Sequence, residues 1–268
     1  MTSVSAKLSD RATVRLSGPD WRALLQGLIT NDVEKIKAGH WVYAALLTPQ
    51  GKYLYDFFIT LDGDDAVMDV FAAHRDALLR KLMMYRLRSK VEITPTDEAI
   101  HAHWGGRYDS MADPRLPALG ARLLSGDDDA SFEDYTAHRI ALGVPDAPYD
   151  AVQEKTLWLE SNADCLEGVD FQKGCYVGQE LTARMRYRGK VRRRLIPIEA
   201  DADIPANTPI LLGEREIGST RSVFGSKGIA NLKVEDLEKG PLTAGGVAVS
   251  AWLPDWLRPT VESAREPA

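Results

Sequence analysis

The chain has 268 residues, 44% of them hydrophobic and 27% charged, with a net charge of −6. Such values describe an ordinary globular protein and argue against wholesale nucleic-acid binding. No apolar run approaches the roughly 18 residues of a membrane helix, and the N-terminal MTSVSAKLSDRATVRL has neither the apolar core of a secretory signal nor the arginine richness of a transit peptide.

A cytoplasmic protein is therefore expected, with Cys165 and Cys175 as reduced thiols rather than a disulfide framework. Two thiols cannot complete a four-cysteine metal site, and no histidine pairs with them at zinc-type spacing, so no metal site is expected. His101 and His103, two apart, read as a polar strand edge.

In chain order, SGPDWRALLQGL predicts a helix over 17–28, capped by Ser17, with Pro19 in its first turn and Trp21, Leu24, Leu25 and Leu28 as its apolar stripe. WVYAALL, KYLYDFFITL and AVMDVF predict a three-stranded meander over 41–71, broken at TPQG and DGDD. A helix over 74–84 presents Leu78, Leu82 and Tyr85, then runs into a predicted strand YRLRSKVEI that Pro95 ends. Residues 105–130 read as loops around one short strand, ARLL, and a helical segment follows near 131–142. From Val191 onward, short strands punctuated by Gly, Pro and Asn predict a small closed β-barrel.

The chemistry concentrates in Asp170–Arg184, DFQKGCYVGQELTAR. A thiol acts as nucleophile or ligand only as thiolate, which nearby cations favour. Cys175 has Lys173 before it and Arg184 and Arg186 after it, with Gly174 and Gly178 leaving room beside it and Gln179 and Glu180 adding polar groups. Cys165, among Asp164, Glu167 and Asp170, reads as an inert packed thiol. Arg184, Arg186, Arg188, Lys190 and Arg192 alternate with other residues; as a strand they would make a cationic wall for an anionic ligand, or a solvated edge.

KGCYVGQELTAR resembles the Lys-Gly-Cys-aromatic-x-Gly-Gln-Glu signature of the YgfZ family, within the superfamily of the glycine-cleavage T-protein. LLQGLITNDV, LLTPQGKYLYDFFI, MMYRLRSKVEI and GKVRRRLIPI resemble further segments of that family, in its order. The resemblance implies an α+β fold: two interlocked T-protein-like lobes around a central cavity, over 1–100 and 101–189, and a C-terminal β-barrel over 190–268. It implies tetrahydrofolate or a derivative as ligand, and a role supporting iron–sulfur enzymes, including tRNA-modifying ones, with assembly proteins or client enzymes as partners.

Carried onto this sequence, it makes Cys175 the functional thiol and Lys173 its stabiliser, with Gly174, Tyr176, Gly178, Gln179, Glu180 and Arg184 shaping the pocket. Asp56 or Tyr55 falls near the T-protein's folate-contacting aspartate, and Arg86, Arg88 and Arg186 are candidate contacts for the folate tail. One departure stands out: the T-protein's Arg-Leu-Glu-Ala-Gly string, whose glutamate holds the pterin, is RIALG here, so Ala141 replaces the carboxylate between Arg139 and Gly143. A folate-dependent accessory factor for iron–sulfur proteins is the leading expectation. The alternative is a tetrahydrofolate-dependent one-carbon transferase, which Asp56 favours and Ala141 opposes; a third, an RNA-interaction protein, is opposed by the overall acidity.

Overall fold

The computed structural model describes residues 3–189 and 191–265. The chain forms two compact units, Met1–Tyr135 with Leu166–Glu180, and Thr136–Cys165 with Leu181–Ala268.

The first unit holds β1 (Val4–Lys7), β2 (Arg11–Ser17), α1 (Trp21–Gln26), β3 (Val42–Leu47), β4 (Tyr53–Asp62), β5 (Asp65–Phe71), α2 (Arg75–Arg86), β6 (Glu92–Thr96), β7 (His101–Trp104) and β8 (Ala121–Leu123). An antiparallel sheet runs β3-β4-β5-β2-β6, and a second runs β1-β7-β8. The expected meander is β3, β4 and β5. Its DGDD break is a two-residue hairpin loop, with Gly63 at φ +61 supplying the conformation such turns demand.

Strand alternation sorts the larger sheet's faces. Val14, Leu16, Ala44, Leu46, Phe57, Ile59, Met68 and Val70 share a core cluster with Leu25, Leu78 and Leu82 of α1 and α2. The opposite face is also buried but carries charge. Arg11 pairs with Asp69 at 2.6 Å, Arg122 of β8 also binds Asp69, and Arg115 pairs with Asp113 at 2.9 Å. The guanidinium groups of Arg11, Arg115 and Arg122 lie 5.6, 4.9 and 3.9 Å from the centre of the Phe58 ring. Buried cations persist only when paired, and this network supplies the pairing. Burial opposes charge on Arg122, but Asp69, Tyr135 and Asp113 outweigh it and raise its pKa.

Several local expectations are corrected. Ser17 is spent on β2, opposite Glu92, so α1 starts at Trp21 after Asp20, which makes no side-chain cap; Pro19 lies outside the helix. The strand expected from Tyr85 does not form: α2 continues to Arg86, Leu87 breaks it at φ +47, and β6 starts at Glu92. Pro95 lies within β6 rather than ending it, which an edge strand tolerates because the missing N–H costs no ladder bond. His101 and His103 share a strand face, but β7 lies between β1 and β8 rather than at an edge and His101 is buried; His103 bonds Ser5 Oγ at 2.9 Å and His101 approaches Asp128 at 3.4 Å.

α3 (Phe132–Ala141) leads into the second unit, where α4 (Ala147–Asp150) adds one turn. α5 (Gln179–Arg188) then brings the chain to a closed antiparallel barrel. Its strands, β9 (Arg193–Glu199), β10 (Pro209–Leu212), β11 (Arg215–Phe224), β12 (Lys227–Lys233), β13 (Leu242–Ala244) and β14 (Val247–Ala251), run in the order β10-β11-β12-β9-β14-β13. The barrel interior is apolar, built from Ile196, Ile198, Ile210, Ile217, Leu232 and Val249, with Leu257 and Val261 at and within the terminal α6 (Arg258–Arg265). The basic comb is not a strand: it is helical from Arg184 to Arg188, and Arg192 lies in the irregular segment before β9. The Gln, Glu, Leu, Ala, Arg and Met residues of α5 are good helix formers, and Tyr187, among the alternating residues, is 68% exposed. On a helix, Arg184 and Arg186 point in different directions, so these two make no common cationic face; Lys190 lies outside the described residues.

Candidate functional site

The motif loop, residues 167–178, is laid against the exit of α1. Thr30 Oγ1 donates to the Gly168 carbonyl at 2.7 Å, and the Asp170 N–H returns a bond to the Thr30 carbonyl at 3.0 Å. The Asn31 amide donates to the carbonyls of Glu167 and Tyr43 at 2.8 and 3.0 Å. Asp170 then turns the chain: its Oδ1 accepts from the Gln172 and Lys173 N–H groups at 2.7 and 3.1 Å, while Oδ2 meets Lys35 at 2.9 Å. Burial pushes this carboxyl up, but Lys35 and the two N–H groups prevail and hold it below its ordinary range.

Lys173 runs back into the unit and is 6% exposed. Its Nζ donates to the carbonyls of Gln26, Ile29 and Asn31 at 2.9, 2.7 and 2.8 Å, which accounts for all three ammonium hydrogens. It also lies 5.1 Å from the centre of the buried Tyr176 ring. Burial pushes the Lys173 pKa down to about 8, with Asp32 and Asp170 opposing. The geometry thus gives Lys173 the work of a clasp between the loop and α1.

Downstream the loop is seated again. The Val177 N–H donates to the Gly27 carbonyl at 3.2 Å. Gly178 has φ +86, and a Cβ there would fall 2.6 Å from the Thr48 carbonyl oxygen. Between these anchors, Gly174 and Cys175 are exposed. A Cβ on Gly174 would meet no described atom within 4 Å, so this glycine leaves open space rather than a close contact. Gln179, half-buried, and Glu180, exposed, open α5, and Arg184 is exposed farther along it.

Within the first unit the folate candidates do not form one site. Asp56 is buried on the charged face, where its oxygens accept the hydroxyls of Tyr53 and Tyr43 at 2.9 and 3.0 Å. Tyr55 points to the opposite, helix-covered face and meets His74 edge-on at 5.6 Å. Arg86 donates to the Val91 carbonyl at 3.1 Å and closes the turn after α2, while Arg88 is exposed beside it. Arg186 belongs to the second unit and is exposed on α5. In the RIALG string, Arg139 is buried against Asp150 at 3.2 Å and Ala141 is exposed.

Cys165, in the second unit, is half-buried against the barrel cluster, and its Sγ donates to Thr260 Oγ1 at 3.2 Å. Burial, then the Asp164 carboxylate, push this thiol up to about 11. Thr30, Asn31 and Asp170 are the supporting residues that reasoning from sequence did not single out; the polar pair closing the apolar LLQGLI run was the available signal. Among the described residues, no three His, Cys, Asp or Glu side chains are grouped to hold a metal ion.

Residues 6–103 match the GCVT N-terminal domain family, and residues 192–259 match the CAF17 C-terminal beta-barrel domain family. The iron–sulfur cluster assembly factor IBA57 homolog of Mycosarcoma maydis is 37% identical over 226 residues, covering 72% of this chain and 56% of that protein. Human IBA57, also named an iron–sulfur cluster assembly factor, is 31% identical over 308 residues, covering 95% of this chain and 85% of the human protein. The chain thus spans little more than half the length of the Mycosarcoma maydis and Neurospora crassa relatives. The aminomethyltransferase T of the glycine cleavage system from Bartonella henselae superposes with a TM-score of 0.63 at 12% identity, covering 95% of this chain and 86% of that one, so the fold is aminomethyltransferase-like. The expectation of a cytoplasmic protein is corrected by these names: the relatives are called mitochondrial and point to the mitochondrion instead. Among the described residues no helix is long and apolar enough to cross a membrane.

Proposed function

We propose, since this chain belongs to the IBA57 family of iron–sulfur cluster assembly factors, that it assists the assembly or repair of iron–sulfur proteins through the thiol of Cys175. The observation that carries this reading is the exposure of Cys175 on a loop anchored on both sides, by the Lys173 clasp and by the Gly178 seat. A thiol placed so can reach a protein-bound cluster or a partner's metal. A single thiolate cannot hold a cluster by itself, so further ligands come from a partner or client, and the cluster is cargo rather than a resident cofactor. The finer placement in the YgfZ branch, and tRNA-modifying enzymes as clients, rest on the KGCYVGQE string.

A reduced folate enters the proposal on the match to the GCVT domain and on the fold. The residues nominated to hold it fit it poorly: Asp56 is engaged by two tyrosines, Tyr55 faces away from it, and Ala141 offers no carboxylate to a pterin. The same facts weigh against methylene transfer, the alternative reading.

The test is complementation of a strain lacking this protein, read as the activity of its iron–sulfur enzymes. Wild type restores activity; Cys175→Ala, shown to be folded by circular dichroism and melting, does not. Full restoration by Cys175→Ala at native expression would reduce the thiol to a structural role. Calorimetric titration with tetrahydrofolate decides the ligand separately, since absence of both heat and thermal stabilisation at saturating ligand removes folate alone.

A further inference from the structure

Among the described residues, six large apolar side chains are exposed, and three of them, Met83, Met84 and Leu87, fall within five positions at 44%, 69% and 84% exposure. They lie on the outer side of α2 and the turn after it, while Leu78 and Leu82 on the inner side fill the core. Met83 and Met84, with Leu79, Arg80 and Ile93, line an open cleft of about 570 Å³. Leu87, with Asp20, Arg88 and Ser89, lines a second of about 740 Å³. Contiguous apolar surface rimmed by charge marks an interaction site more often than a stray exposed residue does.

The backbone points the same way. Leu87 has φ +47 and ψ −110, a conformation that suits glycine and strains leucine. A turn selected only to end α2 would use glycine; here a strained position presents a large side chain almost wholly to solvent.

Charge identifies the occupant. Residues 75–90 carry six basic side chains, Arg75, Arg80, Lys81, Arg86, Arg88 and Lys90, against one acidic, Asp76, in a chain whose net charge is −6. Arg80, Arg88 and Lys90 are exposed around the apolar centre. The carboxylate lining the second cleft, Asp20, accepts the Lys90 N–H at 2.7 Å. Methionine adapts to irregular partners and is over-used on protein-binding surfaces.

We infer that the outer face of α2, with the turn at Leu87, is a docking surface for an acidic amphipathic helix of a partner protein. Leucine-type side chains of that helix occupy the clefts, and its carboxylates meet Arg80, Arg88 and Lys90. The surface stands apart from the Cys175 reading, and loss of either leaves the other intact.

The test uses the full chain and a fluorescent helical peptide of about five turns, with glutamates on one face and leucine and phenylalanine on the other. A peptide with the glutamates replaced by lysine is the control. The acidic peptide binds, and binding weakens with salt; the lysine peptide does not. Met84→Ser with Leu87→Ser weakens binding by about tenfold or more, and Arg80→Glu with Arg88→Glu abolishes it. Leu87→Gly weakens binding while leaving the thermal midpoint unchanged or higher, which a purely structural Leu87 would not do. Absence of acidic-peptide binding, or equal binding by the serine variant, overturns the inference. So does binding confined to phosphatidylcholine vesicles containing phosphatidylserine, which would make the face a membrane contact. Self-association abolished by Met84→Ser with Leu87→Ser, without peptide binding, would make the occupant a second copy of the chain.

Discussion

The two cysteines lie ten positions apart in sequence and meet opposite physical environments. Cys175 stands exposed at the tip of a loop whose flanks are bolted down, whereas Cys165 is packed against the barrel cluster with its Sγ on Thr260. Local sequence charge pointed to the same contrast, but by a partly different cause. Lys173, the cation nearest Cys175 in the motif, spends its ammonium on three carbonyls. What singles out Cys175 is access, held by the anchored loop; what silences Cys165 is desolvation.

The largest effect expected from this contrast is in alkylation rate. A thiol pushed up to about 11 is scarcely ionised near neutral pH, and Cys165 is half-buried where Cys175 is exposed. Iodoacetamide followed by mass spectrometry should therefore modify Cys175 faster by about tenfold or more, with Cys165 labelling climbing only as pH approaches about 11. Comparable rates at pH 7.5 would break the comparison at its root.

The clasp gives the next largest effect. Lys173→Met leaves three buried carbonyls without their donor, at about 1–3 kcal/mol each where water cannot reach them, so the melting temperature should fall by several degrees or the loop should detach. The sign of the pH effect follows from the lowered pKa. Between about 8 and 10.5 the unfolded chain keeps the Lys173 proton while the folded chain has released it, so stability contributed by this group rises with pH across that window. Denaturant titrations should show that rise in wild type and lose it in Lys173→Met. An unchanged slope would mean that the ammonium is not buried as described.

Much of the fold was legible because periodicity follows burial. β3, β4 and β5 announced themselves as apolar runs, and the barrel announced itself through short strands and turn residues. The failures share a cause in contacts that local pattern cannot show. Ser17 resembled a cap until β6 claimed it as a strand partner. The arginine comb satisfied strand alternation, but good helix formers carry it as α5 to Arg188, with Tyr187 exposed where a strand face would have been buried. At the site, the accessible thiol and the open space at Gly174 were readable, but the seating of Gly178 against Thr48, where room had been expected, and the Lys173 clasp were not. Its acceptors are main-chain carbonyls, which every residue carries and no side-chain pattern reveals.

The two motif glycines offer a smaller test. Gly178→Ala places a Cβ against the Thr48 carbonyl at a positive φ and should cost about 1–3 kcal/mol. Gly174→Ala, pointing into open space, should stay within about 0.5 kcal/mol. Equal costs would show that the loop is not seated through Gly178.

The smallest effect is expected at Cys165. Like Leu253, Trp256 and Ala264 it is partly buried against the barrel cluster, and its Sγ bonds Thr260. Serine keeps a donor for Thr260 but gives up the larger, more polarisable sulfur and puts a more polar group in its place, a net cost of about 1 kcal/mol. The site is half-exposed at most, so collapse around the smaller atom limits the loss. Cys165→Ser should therefore unfold at slightly lower urea with the same slope, and should complement a deletion strain as well as wild type does. If it complements poorly while remaining folded, the packed thiol is itself functional, and burial has been mistaken for inertness.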